Sequence, residues 1–112
     1  MEKNIEISLL YDFYGQLLKE QQRQAVTLYY NDDLSLSEIA EQLGITRQGV
    51  RDCIKRSEAL LFNFEEKLGL YKRFREVEAG LYEIETLAGS LKTDYDTKTV
   101  DKIISTAKSL HE

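Results

Sequence analysis

Between Thr46 and Arg56 the chain sets out side chains that suit a nucleic acid: Thr46, Arg47, Gln48, Arg51, Asp52, Lys55 and Arg56. Arginine pairs bidentately with guanine O6 and N7, and glutamine with adenine N6 and N7. Lysine and arginine also hold backbone phosphates, which fix position without reading sequence. At about 100° per residue on a helix, Gln48, Arg51, Asp52 and Lys55 fall on one side, opposite Val50, Cys53, Ile54 and Ser57. Arg47 and Arg56 flank that side. Asp52 is the repulsive member. Three roles stay open for it: accepting from a cytosine amine, orienting Gln48 or Arg56, or lowering affinity.

Such a face needs a helix held at a fixed angle, and Leu36 to Lys55 carries the pattern of a helix-turn-helix. Ala40 is the small residue where the first helix meets the second. Gly44 supplies the tight turn, and Val50 is the branched residue that locks the second helix. Ile39, Leu43, Ile45, Cys53 and Ile54 fill the interior. Ser35 and Glu38 have the spacing of a capping box. Thr46 caps the recognition helix, and side chains at that end reach base edges and phosphates. The same pattern would also serve a three-helix packing unit without DNA contact.

The rest of the chain also reads as helical. Residues 4–18 place Ile5, Leu9 and Phe13 on one stripe, with Ile7, Tyr11 and Leu18 widening it. Residues 20–31 place Ala25, Leu28 and Tyr29 inward, with Val26 and Tyr30 beside them, and Asn31-Asp32-Asp33 ends that helix. The recognition helix runs on to about Leu68, roughly 33 Å, with an inner stripe of Val50, Cys53, Ile54, Ser57, Leu60, Leu61, Phe64 and Leu68. Gly69 stops it. Residues 70–91 carry a heptad seam of Leu70, Phe74, Val77, Leu81, Ile84, Ala88 and Leu91. That seam suits either a dimer or a fold back onto helices one and four. A polar loop at 92–98 precedes a short last helix marked by Val100, Ile103, Ile104, Ala107 and Leu110.

Composition narrows the function classes. The 112 residues have 42% hydrophobic and 31% charged side chains, no proline, and a net charge of -5. That balance excludes a general basic nucleic-acid coat. Yet residues 35–57 carry four basic and three acidic side chains, whereas the flanking segments are acidic. One cysteine, Cys53, gives no disulfide framework and no cysteine metal site, and it suits a reducing cytoplasm. It reads as a packed core thiol, with a redox sensor as the alternative. No apolar run reaches the ~20 residues of a membrane span, and no secretion signal opens the chain. His111 stands alone near the end. Asp32-Asp33 and Asp94/Asp96 lack calcium-loop spacing and read as turns and caps. Most of the tyrosines and phenylalanines, such as Tyr29, Phe64 and Phe74, sit at apolar helical positions and read as core rather than as stacking platforms. There is no nucleophile with a base, no phosphate loop and no cofactor motif, so an enzyme is not expected.

Leu36 to Arg56 resembles region 4.2 of RNA-polymerase sigma factors, above all in Ser-Glu-Ile-Ala-Glu-Gln-Leu-Gly-Ile-Thr-Arg-Gln-Gly-Val-Arg. The other sigma regions have no counterpart. Tyr29-Tyr30-Asn-Asp-Asp33, Ser-Leu-Ser-Glu-Ile-Ala40, Thr-Arg-Gln-Gly-Val50, Asp-Cys-Ile-Lys-Arg56 and the later Glu-Glu-Lys-Leu68 resemble the YlxM family, also called UPF0122. The likeness covers residues 1 to about 90. It implies a small DNA-binding protein of the kind found in Gram-positive bacteria and mycoplasmas. It also implies a regulatory role in the signal recognition particle pathway.

The expectation is an all-α, sigma region-4-like helix-turn-helix bundle over 1–69 with long C-terminal helices over 70–112, the whole forming one compact domain. Its expected partners are double-stranded DNA and a second copy of the chain. The alternative is an adaptor for signal recognition particle protein or RNA, in which the helix-turn-helix is a scaffold.

Overall fold

The computed structural model describes residues 2–111. Its α-helices are α1 (Lys3–Tyr14), α2 (Glu20–Val26), α3 (Leu36–Leu43), α4 (Arg47–Leu68), α5 (Leu70–Ser90) and α6 (Thr97–Ser109), with no strand among the described residues. The chain forms two compact units, Met1–Tyr71 and Lys72–Glu112.

In the first unit α4 is the spine, with α1, α2 and α3 all packed on it. One core gathers Ile7, Leu10 and Tyr14 of α1 with Leu18, Val26 and Leu61. The other joins Ala25, Ile39, Ala40, Val50 and Ile54, and so locks the helix-turn-helix. Tyr30 packs against both cores.

The helix ends follow local chemistry. Ser35 Oγ accepts from the Glu38 amide at 3.1 Å, and Glu38 Oε1 accepts from the Ser35 amide at 2.9 Å, a reciprocal cap for two open donors. Gly44 sits at φ 69° and Gly69 at φ 62°, a left-handed conformation that a Cβ disfavours. Thr46 Oγ1 accepts from the Gly49 amide at 2.9 Å. Where α4 ends, the Tyr14 hydroxyl donates to Glu65 Oε1 at 2.5 Å and accepts from the Leu70 amide at 2.9 Å.

Several elements depart from the sequence expectation. α1 stops at Tyr14, and a 3-10 turn over Gly15–Leu17 leads to an extended Leu18 that enters the first core. The buried face of α1 is Ile7, Leu10 and Tyr14, while Ile5 is 52% exposed. Tyr14, absent from the expected stripe, completes this buried face. Burial of its phenol is possible because the hydroxyl is satisfied. The helix from Glu20 stays α-helical only to Val26 and continues as a π-turn over Thr27–Asn31. A π-turn takes in an extra residue, so side chains within and beyond it leave the 3.6-residue stripe. Tyr29 is accordingly 38% exposed rather than core. Asp33, at φ 55°, turns the chain toward α3, a conformation that aspartate tolerates. Leu68, the last residue of α4, is 55% exposed and not part of the inner stripe.

In the second unit Leu110, just past the end of α6, lies close against α5. A Cβ at the buried Gly80 would lie 2.6 Å from Leu110 Cδ2. The Arg73 guanidinium donates to the Leu110 carbonyl, and Lys102 pairs with Glu83 at 3.9 Å. Asp96 caps α6, accepting from the Lys98 amide and the Thr99 hydroxyl, each at 3.1 Å. Among the described residues, no apolar side chain after Leu61 is fully buried.

Candidate nucleic-acid interface

The start of α4 is held from beneath. Val50 and Ile54 are buried against Ile39 and Ala40 of α3, and Ser57 donates to the Cys53 carbonyl at 2.7 Å. Cys53 is a free, half-buried thiol packed on the same core. With that face fixed, all seven candidate contact residues, Thr46, Arg47, Gln48, Arg51, Asp52, Lys55 and Arg56, are exposed.

Of the three roles open to Asp52, the geometry supports one: Gln48 Nε2 donates to Asp52 Oδ1 at 3.0 Å. The amide keeps one N–H and its Oε1 free, the pair that adenine N7 and N6 require. Among the described residues, Arg47, Arg51, Lys55 and Arg56 form no ion pair. Four cations and one carboxylate thus make a locally positive face on an acidic chain. At the helix start, Thr46 satisfies the Gly49 and Val50 amides. The amides of Arg47 and Gln48 lie at the end of the helix that attracts anions.

Next to this face is a polar cluster that sequence spacing did not reveal. Glu58, on α4 one turn beyond Ile54, is buried. Its Oε1 pairs with Lys3 at 3.1 Å and its Oε2 accepts from the Tyr30 hydroxyl. Burial, and then the Glu58 carboxylate, push the Tyr30 phenol above its ordinary value. Lys3 and Tyr30 come from other parts of the chain, so no local pattern announced the cluster. The single available signal was a glutamate directly after the inner-stripe Ser57.

The α5 seam is unevenly placed. Leu70, Phe74 and Leu81 are 46–48% exposed, Ala88 is exposed, and Val77, Ile84 and Leu91 are half-buried. No described helix is long and apolar enough to cross a membrane. No group of histidine, cysteine, aspartate and glutamate suited to a metal ion occurs among the described residues.

Residues 1–103 match the UPF0122 family, described as "Putative helix-turn-helix protein, YlxM / p13 like". The chain belongs to the UPF0122 family. A UPF0122 protein of Clostridium kluyveri is 45% identical over 103 residues, covering 92% of this chain and 93% of the relative. One from Desulforamulus reducens is 41% identical over 112 residues, covering 100% of this chain and 96% of the relative. One from Thermoanaerobacter sp. strain X514 is 56% identical over 71 residues, covering 63% of this chain and 61% of the relative. UPF0122 membership accords with the all-α fold. The family description is that of a helix-turn-helix protein, not of an enzyme. The match also reaches beyond residue 90, where the sequence likeness was expected to fade.

Proposed function

We propose that the chain is a cytoplasmic DNA-binding regulatory protein in which residues 47–56 of α4 enter the major groove. The observation that carries this is the joint exposure of Gln48, Arg51 and Lys55, with neither cation in an ion pair among the described residues. Arg51 reads a guanine, and Gln48, preset by Asp52, reads an adenine. Lys55, Arg56 and the helix start at Thr46 and Arg47 hold phosphates, while α3 braces on the backbone. The α5 stripe of Leu70, Phe74, Val77, Leu81, Ile84, Ala88 and Leu91 joins two copies. Their recognition helices then meet a palindrome with half-sites about 34 Å apart.

The test is selection of bound genomic fragments by the full chain at physiological salt. A recovered palindromic motif is expected. Arg51→Ala should weaken binding by about 1–3 kcal/mol and relax one base position. Because the positive face is narrow, binding to unrelated duplexes should be weak and fall steeply with salt. Equal losses across unrelated sequences would remove base readout by Arg51.

A second reading rests on the net charge of -5. In it the chain is an adaptor that contacts signal recognition particle protein or RNA. Absence of any enriched fragment, together with retention of particle components by the pure protein, would replace the first reading with this one.

A further inference from the structure

We propose that the cavity beside the recognition helix binds a nucleoside phosphate, with the phosphate on Arg51 and Lys55 and the base against Tyr29. The cavity holds about 330 Å³, within the roughly 300–1,000 Å³ of small-ligand sites. Its walls come from the start of α1, the π-turn, the first residue of α3 and α4.

Three observations fix the ligand chemistry. The first is charge. Arg51 and Lys55 both line the cavity, one helical turn apart, and neither has an ion-pair partner among the described residues. The acidic group in the wall, Glu58, is already engaged by Lys3 and the Tyr30 hydroxyl. The wall is therefore positive where it is free to act, which selects an anion. The second is the aromatic surface. Tyr29 is partly exposed and packs edge-on against Tyr30, at 5.0 Å and 90°. Tyr30 is itself pinned by Glu58, so Tyr29 is an exposed ring backed by a fixed one. Such a ring is a stacking platform for a base. The third is the backbone. Both tyrosines lie in the π-turn over Thr27–Asn31, and such turns are frequent at functional sites. Leu36 and Ile54 add apolar wall against which a sugar or base edge can rest.

A larger cavity of about 530 Å³ lies between α1, α2 and the end of α3, but its charged lining, Glu20 and Arg23, is of opposite sign. It has no convergent charge to select a ligand.

Arg51 and Lys55 serve both this cavity and the proposed duplex face, so a bound nucleotide and a bound duplex exclude one another. Only that consequence rests on the DNA reading. The nucleotide site is tested without any duplex present.

The experiment is a ¹⁵N NMR titration of the full chain at low salt with adenosine, guanosine, cytidine and uridine 5′-monophosphates, and separately with inorganic phosphate. At least one nucleotide should saturate, with shifts centred on residues 3, 29, 30, 51 and 55, and bind about tenfold or more tightly than phosphate. Tyr29→Ala should remove that advantage and leave phosphate binding intact, whereas Lys55→Gln should weaken both. A single-stranded tetranucleotide identifies the source of the ligand. Binding no tighter than the mononucleotide marks a free effector, and tighter binding marks a nucleotide within a strand. The proposal is overturned if nucleotide and phosphate bind alike, if Tyr29→Ala has no effect, if the shifts lie elsewhere, or if nothing binds up to about 10 mM.

Discussion

The two units of this chain are held together in different ways. In the first, apolar side chains from α1 to α4 are fully buried in two cores joined by Tyr30, and the helix-turn-helix is part of that packing. In the second, α6 and the Leu110 that follows it rest on α5 through Leu110 on Gly80 and an exposed ion pair, and among the described residues no apolar side chain is fully buried. Helices in water draw most of their stability from packing an apolar face. The first unit supplies that for itself. The second leaves Phe74, Leu81, Tyr82 and Ile104 exposed, apolar surface on which the proposed self-association would draw.

The widest separation should come from core truncation. Leu61 is fully buried, and Leu61→Ala should cost about 2–5 kcal/mol in chemical denaturation. Leu81→Glu should leave unfolding of the first unit within about 0.5 kcal/mol, yet reduce the mass seen in sedimentation. Stabilisation by a second copy depends on protein concentration, so the effect of Leu81→Glu on melting should grow as the protein is concentrated. A loss equal to that of Leu61→Ala in dilute protein would break the contrast.

A smaller effect should come from the Tyr14 hydroxyl, which joins Glu65 to the start of α5. Tyr14→Phe leaves the Leu70 amide and the half-buried Glu65 with one partner fewer, at a cost of about 1–3 kcal/mol. The pH dependence follows from the same bonds. Burial, then the hydrogen bond to Glu65, raise the Tyr14 phenol above 10.0. A raised value favours the protonated form in the folded state. Its stabilisation is therefore complete below pH 10 and disappears as pH rises through the raised value. Wild-type protein should lose stability above about pH 10 more steeply than Tyr14→Phe, as followed by circular dichroism. Parallel curves would remove the hydroxyl from the account.

Legibility in the sequence divides along similar lines. The helix-turn-helix was readable because its determinants are local: the Ser35–Glu38 box, Gly44, Thr46 and the 3.6-residue spacing of Val50, Ile54 and Ser57 all act within a turn or two. The outward face of α4 followed from the same arithmetic. What escaped was set at long range. Tyr14 belongs to the core because Glu65 and Leu70, far off in sequence, satisfy its hydroxyl. Tyr29 looked like core until the π-turn moved it outward. The Lys3–Glu58–Tyr30 cluster exists only when three distant segments meet. The α5 heptad was visible as a pattern. The packing of α6 at Gly80 was not, because a glycine gives no hydrophobic signal.

The helix caps test the contrast at its finest grain. Ser35 caps α3, whose inner face is already locked in a core, and Ser35→Ala should lower global stability by about 1 kcal/mol. Its partner Glu38 is held below its usual 4.5 by the Ser35 amide and then the Ser35 hydroxyl. A lowered carboxyl stabilises the fold above pH 4.5 and loses that effect as pH falls through the lowered value. In Ser35→Ala the Glu38 carboxyl should move back up toward 4.5 in an NMR titration. Asp96 caps α6, which has no fully buried side chain of its own. Asp96→Ala should therefore speed hydrogen exchange along α6 while leaving unfolding of the first unit unchanged, because a helix with little packing opens locally. If Asp96→Ala instead shifts the global transition as Ser35→Ala does, the two units unfold as one. The stability of the helix-turn-helix would then depend on whatever covers α5 and α6.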